Sequence, residues 1–162
     1  MRVKDCRIFP SFNGTGLAVM TNTNRIFVVN NINDIRLRRL AEIPGLQSPT
    51  AWTMVNMDRQ SRALVSVGRQ LLLLDHGGQY QEHEPPMTQS RDFEAIIDMT
   101  VSLNNKCLAL FTDTGYLWIG SSDLQVSHKV TLPYPLKSKK YSHANARLCF
   151  RGVFVNSTRR HK

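Results

Sequence analysis

Asp113-Thr114-Gly115, just beyond the apolar run Leu108 to Phe111, has the residue types of an aspartic-protease catalytic loop. A carboxylate in such a loop does chemistry only with a second carboxylate close enough to share its proton. Catalysis at Asp113 would therefore need another copy of the loop in the chain, or a homodimer. Other reactive constellations are thinner. Gly14-Thr15-Gly16 lacks the third glycine and the following helix of a dinucleotide loop and reads as the start of a strand. The chain has no Gly-x-Ser-x-Gly, no Walker-type loop and no His-Glu-x-x-His. Cys6, Cys107 and Cys149 are odd in number and widely spaced, so buried reduced thiols are expected. His76 and His83 fall in a loop-like stretch, and His128, His143 and His161 in a basic segment. None has a helical partner of ligand type, so no metal and no cofactor is expected. Asn13-Gly14-Thr15 and Asn156-Ser157-Thr158 match the glycosylation sequon by chance.

The elements that must position Asp113 repeat. Leu17 to Val29 aligns without gaps on Leu108 to Gly120, and Ala63 to Leu74 repeats the pattern with one residue removed at the turn. The copies start 46 and 45 residues apart, the period of a β-propeller blade. Each reads as a hairpin, with Asn24, Gly68 and Gly115 in turns that favour a positive φ. Flanking runs complete the blades: Ile35 to Leu40 and Val126 to Leu132 as outer strands, Ala51 to Met57 and Ala95 to Leu103 as inner ones. The spacing of Phe93, Ile96, Ile97 and Val101 also approaches a helix, but its place in the repeat decides for strand. Pro44-Gly45, Pro49 and Pro85-Pro86 fall between blades, where a missing N–H breaks no ladder. The positions aligned with Asp113 are Asn22 and Gly68, two turn formers that do not ionise. The repeat thus reads Asp113 as a turn residue and leaves no catalytic residue in the chain.

Trp52 and Trp118, at strand positions, are expected to pack in the core or between blades rather than to stack on bases. Arg36-Leu37-Arg38-Arg39 alternates along an outer strand, placing Arg36 and Arg38 on one face and Arg39 on the other. Charge there protects an exposed edge from pairing, with contact to a partner as the other reading.

A length of 162 residues suits one domain, and 41% hydrophobic with 20% charged residues is ordinary for a folded protein. The charged start Met1-Arg-Val-Lys-Asp5 leads into no signal-length apolar stretch, and the longest aliphatic run, Leu71 to Leu74, cannot span a bilayer. A cytosolic or peripherally attached chain is expected. The net charge of +9 is unevenly placed. Residues 1–123 hold 12 basic and 12 acidic side chains, whereas residues 124–162 hold 9 basic and none acidic. Nucleic acid is therefore not the expected partner of the folded part. Lys137-Ser-Lys-Lys140 and Arg159-Arg-His-Lys162 leave polyanion binding, to nucleic acid or an acidic membrane, as the alternative function.

A family resemblance rests on Arg36-Leu-Arg-Arg-Leu40 through Pro44-Gly-Leu-Gln-Ser48, on Trp52-Thr53, Asp58-Arg59 and Leu73-Leu-Asp-His76, and above all on residues 108 to 120. From about Val3 to about Leu124 the chain resembles the N-terminal propeller region of the vacuolar protein sorting-associated protein 16 family. That resemblance implies an all-β, incomplete propeller of about three WD40-like blades over residues 1–124. Residues 125–162 follow as a basic tail, a last part-blade or an unrelated terminus. It also implies a non-enzymatic scaffold of class C tethering complexes of the HOPS and CORVET type. The partners would be the other class C subunits and, in the full-length family, a Sec1/Munc18-like protein. The location would be cytoplasmic, peripheral on late endosome, lysosome or vacuole membranes. Propellers close with four to eight blades, so the chain is expected to be a fragment, a truncated gene product or a short isoform. The unpaired blade faces are expected to meet another chain.

Overall fold

The computed structural model of the protein describes residues 1–45, 48–68, 70–85, 95–125 and 127–130. Within it Leu71 to Leu74 lies on a strand buried on both sides. Leu72 and Leu74 join a cluster with Trp52, Met54, Ala63 and Val65, while Leu71 and Leu73 join another with Ala51, Val55 and Leu64. Successive side chains of a strand point to opposite faces, so a run apolar at every position belongs to a sheet covered by two others.

Those three sheets are antiparallel meanders of consecutive strands. The first comprises β1 (Val3–Ser11), β2 (Gly14–Thr21), β3 (Arg25–Val29) and β4 (Arg38–Glu42). The second comprises β5 (Ala51–Met57), β6 (Gln60–Val67), β7 (Gln70–Leu74) and β8 (Tyr80–His83). The third comprises β9 (Ile96–Val101), β10 (Cys107–Thr112), β11 (Leu117–Ser121) and β12 (Ser127–Val130). No helix occurs among the described residues. The three four-stranded sheets are propeller-like blades, an incomplete propeller as the repeat implies. Phe9, Ala18, Met20, Ile26, Val28 and Leu40 cover the second sheet from one side, and Ile96, Met99, Leu108 and Leu110 from the other.

The three repeated hairpins are β2–β3, β6–β7 and β10–β11, and their register matches the repeat. Leu17 pairs with Val29, Ala63 with Leu74 and Leu108 with Gly120, the residues that bound each copy. Asn24, Gly68 and Gly115 take positive φ angles of 58°, 58° and 86° in their turns. The inner strand expected over Ala51 to Met57 has those bounds, and Ile96–Val101 lies inside Ala95 to Leu103.

Several expectations are corrected. The first outer strand begins at Arg38, not Ile35, because residues 31–34 form a turn closed by an Asn31–Asp34 bridge. A register shift on β4, between the Phe27–Arg39 and Ile26–Ala41 pairs, places an extra residue at Leu40, beyond the arginines, and Arg38 and Arg39 keep consecutive pairing with Val28 and Phe27. His83 lies on β8 rather than in a loop, whereas His128 lies on β12, inside the outer strand expected over Val126 to Leu132. Cys6 and Cys107 are exposed, not buried. Cys6 alternates with Asp5 and Arg7, whose side chains turn toward the second sheet, and Cys107 starts β10 beside a turn. Cys149 lies outside the described residues.

The start of β2 contains a tight approach. Gly16 pairs with Phe9 across β1 and β2, and a Cβ at Gly16 would lie 2.5 Å from the Phe9 ring. Phe9 is buried and held by the second sheet, so the ring has little room to yield. Gly16→Ala is expected to destabilise the chain by about 1–3 kcal/mol through overpacking. Chemical denaturation checks this, with Phe9→Leu/Gly16→Ala expected to recover part of the loss.

Candidate functional site

The Asp113 loop is a structural turn, and the first blade builds the same turn from different letters. Asp113 Oδ1 accepts the Ala95 N–H at 3.0 Å, and the Asp113 N–H donates to the Ala95 carbonyl at 2.9 Å. In the first blade Asn22 Oδ1 accepts the Arg2 N–H at 2.9 Å and the Asn22 N–H donates to the Arg2 carbonyl at 2.9 Å. Each pair latches a hairpin turn to the residue just before the inner strand. Thr112 and Thr21 complete the motif. Their buried hydroxyls accept the N–H of Tyr116 and Arg25, both at 3.2 Å, and lie 3.1 Å and 3.0 Å from the hydroxyls of Thr114 and Thr23. In the second blade, whose turn is one residue shorter, the Thr50 N–H donates instead to the Ser66 carbonyl.

An acceptor oxygen is what the latch requires, and a charge is not. Asp113→Asn is therefore expected to change stability by less than about 0.5 kcal/mol, the usual range of a neutral substitution. Asp113→Ala should cost about 1 kcal/mol for the lost hydrogen bond. Thermal unfolding distinguishes the two. A peptide-cleaving activity of the wild-type chain abolished by Asp113→Asn would overturn the turn assignment.

The most concentrated polar group lies where the first strands of the three blades meet. Arg7 on β1 reaches Asp98 on β9, with Nη2 3.1 Å from Asp98 Oδ1, and donates through Nη1 to the Met99 carbonyl at 3.0 Å. Its Nε stands 3.9 Å from Asp5 Oδ2. Trp52 on β5 donates its indole N–H to Asp5 at 2.9 Å, and the Arg7 guanidinium lies 5.7 Å from the Trp52 ring centre. The Asp98 side chain is only 6% exposed and also accepts the Met99 N–H at 2.9 Å. Two carboxylates, a guanidinium and an indole N–H thus engage one another, each blade supplying at least one, while the buried Arg7 Nε makes no hydrogen bond among the described residues. Charges so engaged hold geometry.

A second stitch joins the blades at the opposite ends of these strands. Asn56 donates through its side chain to the Pro10 carbonyl, and its N–H donates to Asn105 Oδ1 at 3.1 Å, while Asn105 returns a bond to the Asn56 carbonyl. Sequence reasoning missed both groups, because β1 carries the mixed string Val-Lys-Asp-Cys-Arg-Ile-Phe-Pro-Ser and gives no clean alternation. One signal was available: Asp98 interrupts the apolar strand Ile96-Ile97-Asp98-Met99, which demands a buried partner.

The family model "Vps16, N-terminal region" matches residues 1–138. The chain belongs to the Vps16 family. It is 33% identical over 125 residues to the vacuolar protein sorting-associated protein 16 homolog of Drosophila melanogaster, across 76% of its own length. It spans only 15% of that relative's length.

The remaining candidate residues of this Vps16-family chain are dispersed. Trp52 is buried between the first two blades, as expected, and Trp118 packs against the cluster between the second and third. On the outer side of the third blade the Lys129 ammonium lies 3.4 Å from the Tyr116 ring centre and 5.6 Å from that of Trp118. Burial, together with the nearby Arg38 charge, pushes the His76 imidazole below its ordinary range, against the opposing pull of Asp75. No group of three or more His, Cys, Asp or Glu side chains able to hold a metal occurs among the described residues. Among them, too, no helix is long and apolar enough to cross a membrane. His143, His161, Asn156 and the basic clusters at 137–140 and 159–162 lie outside the described residues.

Proposed function

We propose that this chain is a non-enzymatic scaffold module of a class C tethering complex, of the HOPS or CORVET type, acting in transport to the lysosome or vacuole. The family match over residues 1–138 carries the reading. It is supported by polar groups that lock blade to blade into a continuous body. Blade surfaces and loop ends offer contact area, and the mechanism is assembly and positioning rather than bond-making. The partners are other class C subunits and, for the full-length protein, a Sec1/Munc18-like protein. The location is cytoplasmic, peripheral on late endosome and lysosome or vacuole membranes. Residues from about 125 onward, which carry no acidic side chain, are taken as the outer strand of the third blade followed by a basic tail.

Co-precipitation from cells tests the reading. Recovery of the other tethering subunits with the tagged chain, undiminished by deleting residues 131–162, is the expected outcome. Loss of all partners on that deletion, with binding to polyanions that falls steeply with salt, would favour a polyanion binder instead.

A further inference from the structure

Three loops occupy corresponding positions before the outer strands, and the first differs in kind. The second blade uses Asp75-His-Gly-Gly-Gln79, and the third uses Ser122-Asp-Leu-Gln125, in which Leu124 packs back onto the core. The first uses Asn30-Asn-Ile-Asn-Asp-Ile-Arg-Leu37, with Ile35 80% and Leu37 61% exposed. This loop is firmly held. The Ile32 N–H donates to the Thr15 carbonyl at 2.8 Å, the Asn31 side chain to the Asn13 carbonyl at 3.2 Å, and the Asn33 N–H to Asn31 Oδ1 at 2.9 Å.

The Arg36 N–H donates to the Asp34 carbonyl at 2.9 Å, a tight turn about Ile35, and beyond it the chain runs into β4, the last strand of its sheet, so one row of β4 peptide groups meets no further strand of that sheet. Arg36, Arg38 and Arg39 lie along the same stretch, against Asp34 and Glu42, leaving one positive charge in excess. Charge on an edge ordinarily keeps other strands away. The corresponding strands β8, Tyr-Gln-Glu-His, and β12, Ser-His-Lys-Val, are short and largely polar in that manner. Two well-exposed aliphatic side chains beside arginines on an ordered edge do the opposite.

We propose that residues 35–39 are a docking edge for an extended segment of a partner protein in which acidic and apolar residues alternate, added beside β4 as a fifth strand. Main-chain bonds along the open edge would supply affinity, Ile35 and Leu37 would cover the partner's apolar residues, and the arginines would select its acidic ones. The inference needs only the edge and its charge, and stands or falls apart from the tethering role.

A fluorescently labelled, capped peptide alternating glutamate and valine tests it by anisotropy against the purified chain. Saturable binding is expected, with none for a lysine–valine peptide or for a glutamate–valine peptide interrupted by proline. Ile35→Ser/Leu37→Ser should weaken binding about tenfold, as loss of two cross-strand pairs would, with the unfolding midpoint unchanged because both side chains are exposed. Arg36→Glu/Arg38→Glu should transfer preference to the lysine–valine peptide. Absence of saturable binding, equal binding of the lysine peptide, or indifference to both variants would each overturn the proposal. So would self-association in sedimentation that Ile35→Ser/Leu37→Ser abolishes, since the occupant would then be a second copy of the chain.

Discussion

Arg7→Ala is expected to destabilise the fold by about 3–5 kcal/mol, measured by urea denaturation, because it removes one partner of a buried ion pair and strands the other. Asp98, with a side chain only 6% exposed, would keep the Met99 N–H as its one described hydrogen bond. The Met99 carbonyl would lose its side-chain donor, and Asp5 would lose the guanidinium 3.9 Å away. Two controls separate the pair from simple loss of packing. Arg7→Met keeps much of the aliphatic stem and should remain nearly as damaging, because the stranded carboxylate is the main cost. Arg7→Met/Asp98→Leu removes both charges and should recover most of the loss, since exchanging a buried pair for apolar groups of similar size is often neutral. A loss under about 1 kcal/mol for Arg7→Ala would show that the pair does not join the first and third blades as described.

What was legible in the sequence followed a physical rule. A strand covered on both faces must be apolar at consecutive positions, and a hairpin of such strands repeats visibly. Leu17 to Val29, Ala63 to Leu74 and Leu108 to Gly120 are therefore found with their register. The turn chemistry was legible for the same reason: Asn24 and Gly115 occupy equivalent positive-φ positions, and Asn22 and Asp113 equivalent latch positions. Strands at the margins escaped. β1 presents Lys4, Cys6 and Ile8 outward and Asp5 and Arg7 inward, the reverse of the usual polar-out pattern, so periodicity could not mark it. β8 is Tyr-Gln-Glu-His, with no apolar face to detect. The Arg7–Asp98 pair spans 91 residues and follows from where three blades converge, which no local pattern encodes.

That convergence makes Trp52 the second position of large effect. Trp52→Ala is expected to cost about 3–5 kcal/mol, the range for removing a buried aromatic side chain. Three roles end together: the ring fills the cluster between the first two blades, its N–H satisfies Asp5, and its face lies near the Arg7 guanidinium. Trp52→Phe divides them. Phenylalanine keeps a ring in the cluster and before the cation but donates no hydrogen bond, so its loss should be nearer 1–2 kcal/mol, a hydrogen bond plus a small packing deficit. Because Trp52 and Arg7 act on the same Asp5, their effects should not add. Trp52→Ala/Arg7→Ala should fall short of the sum by at least about 0.5 kcal/mol, as residues in one network do. Additive losses in the denaturation midpoints would mean that the indole and the guanidinium work separately.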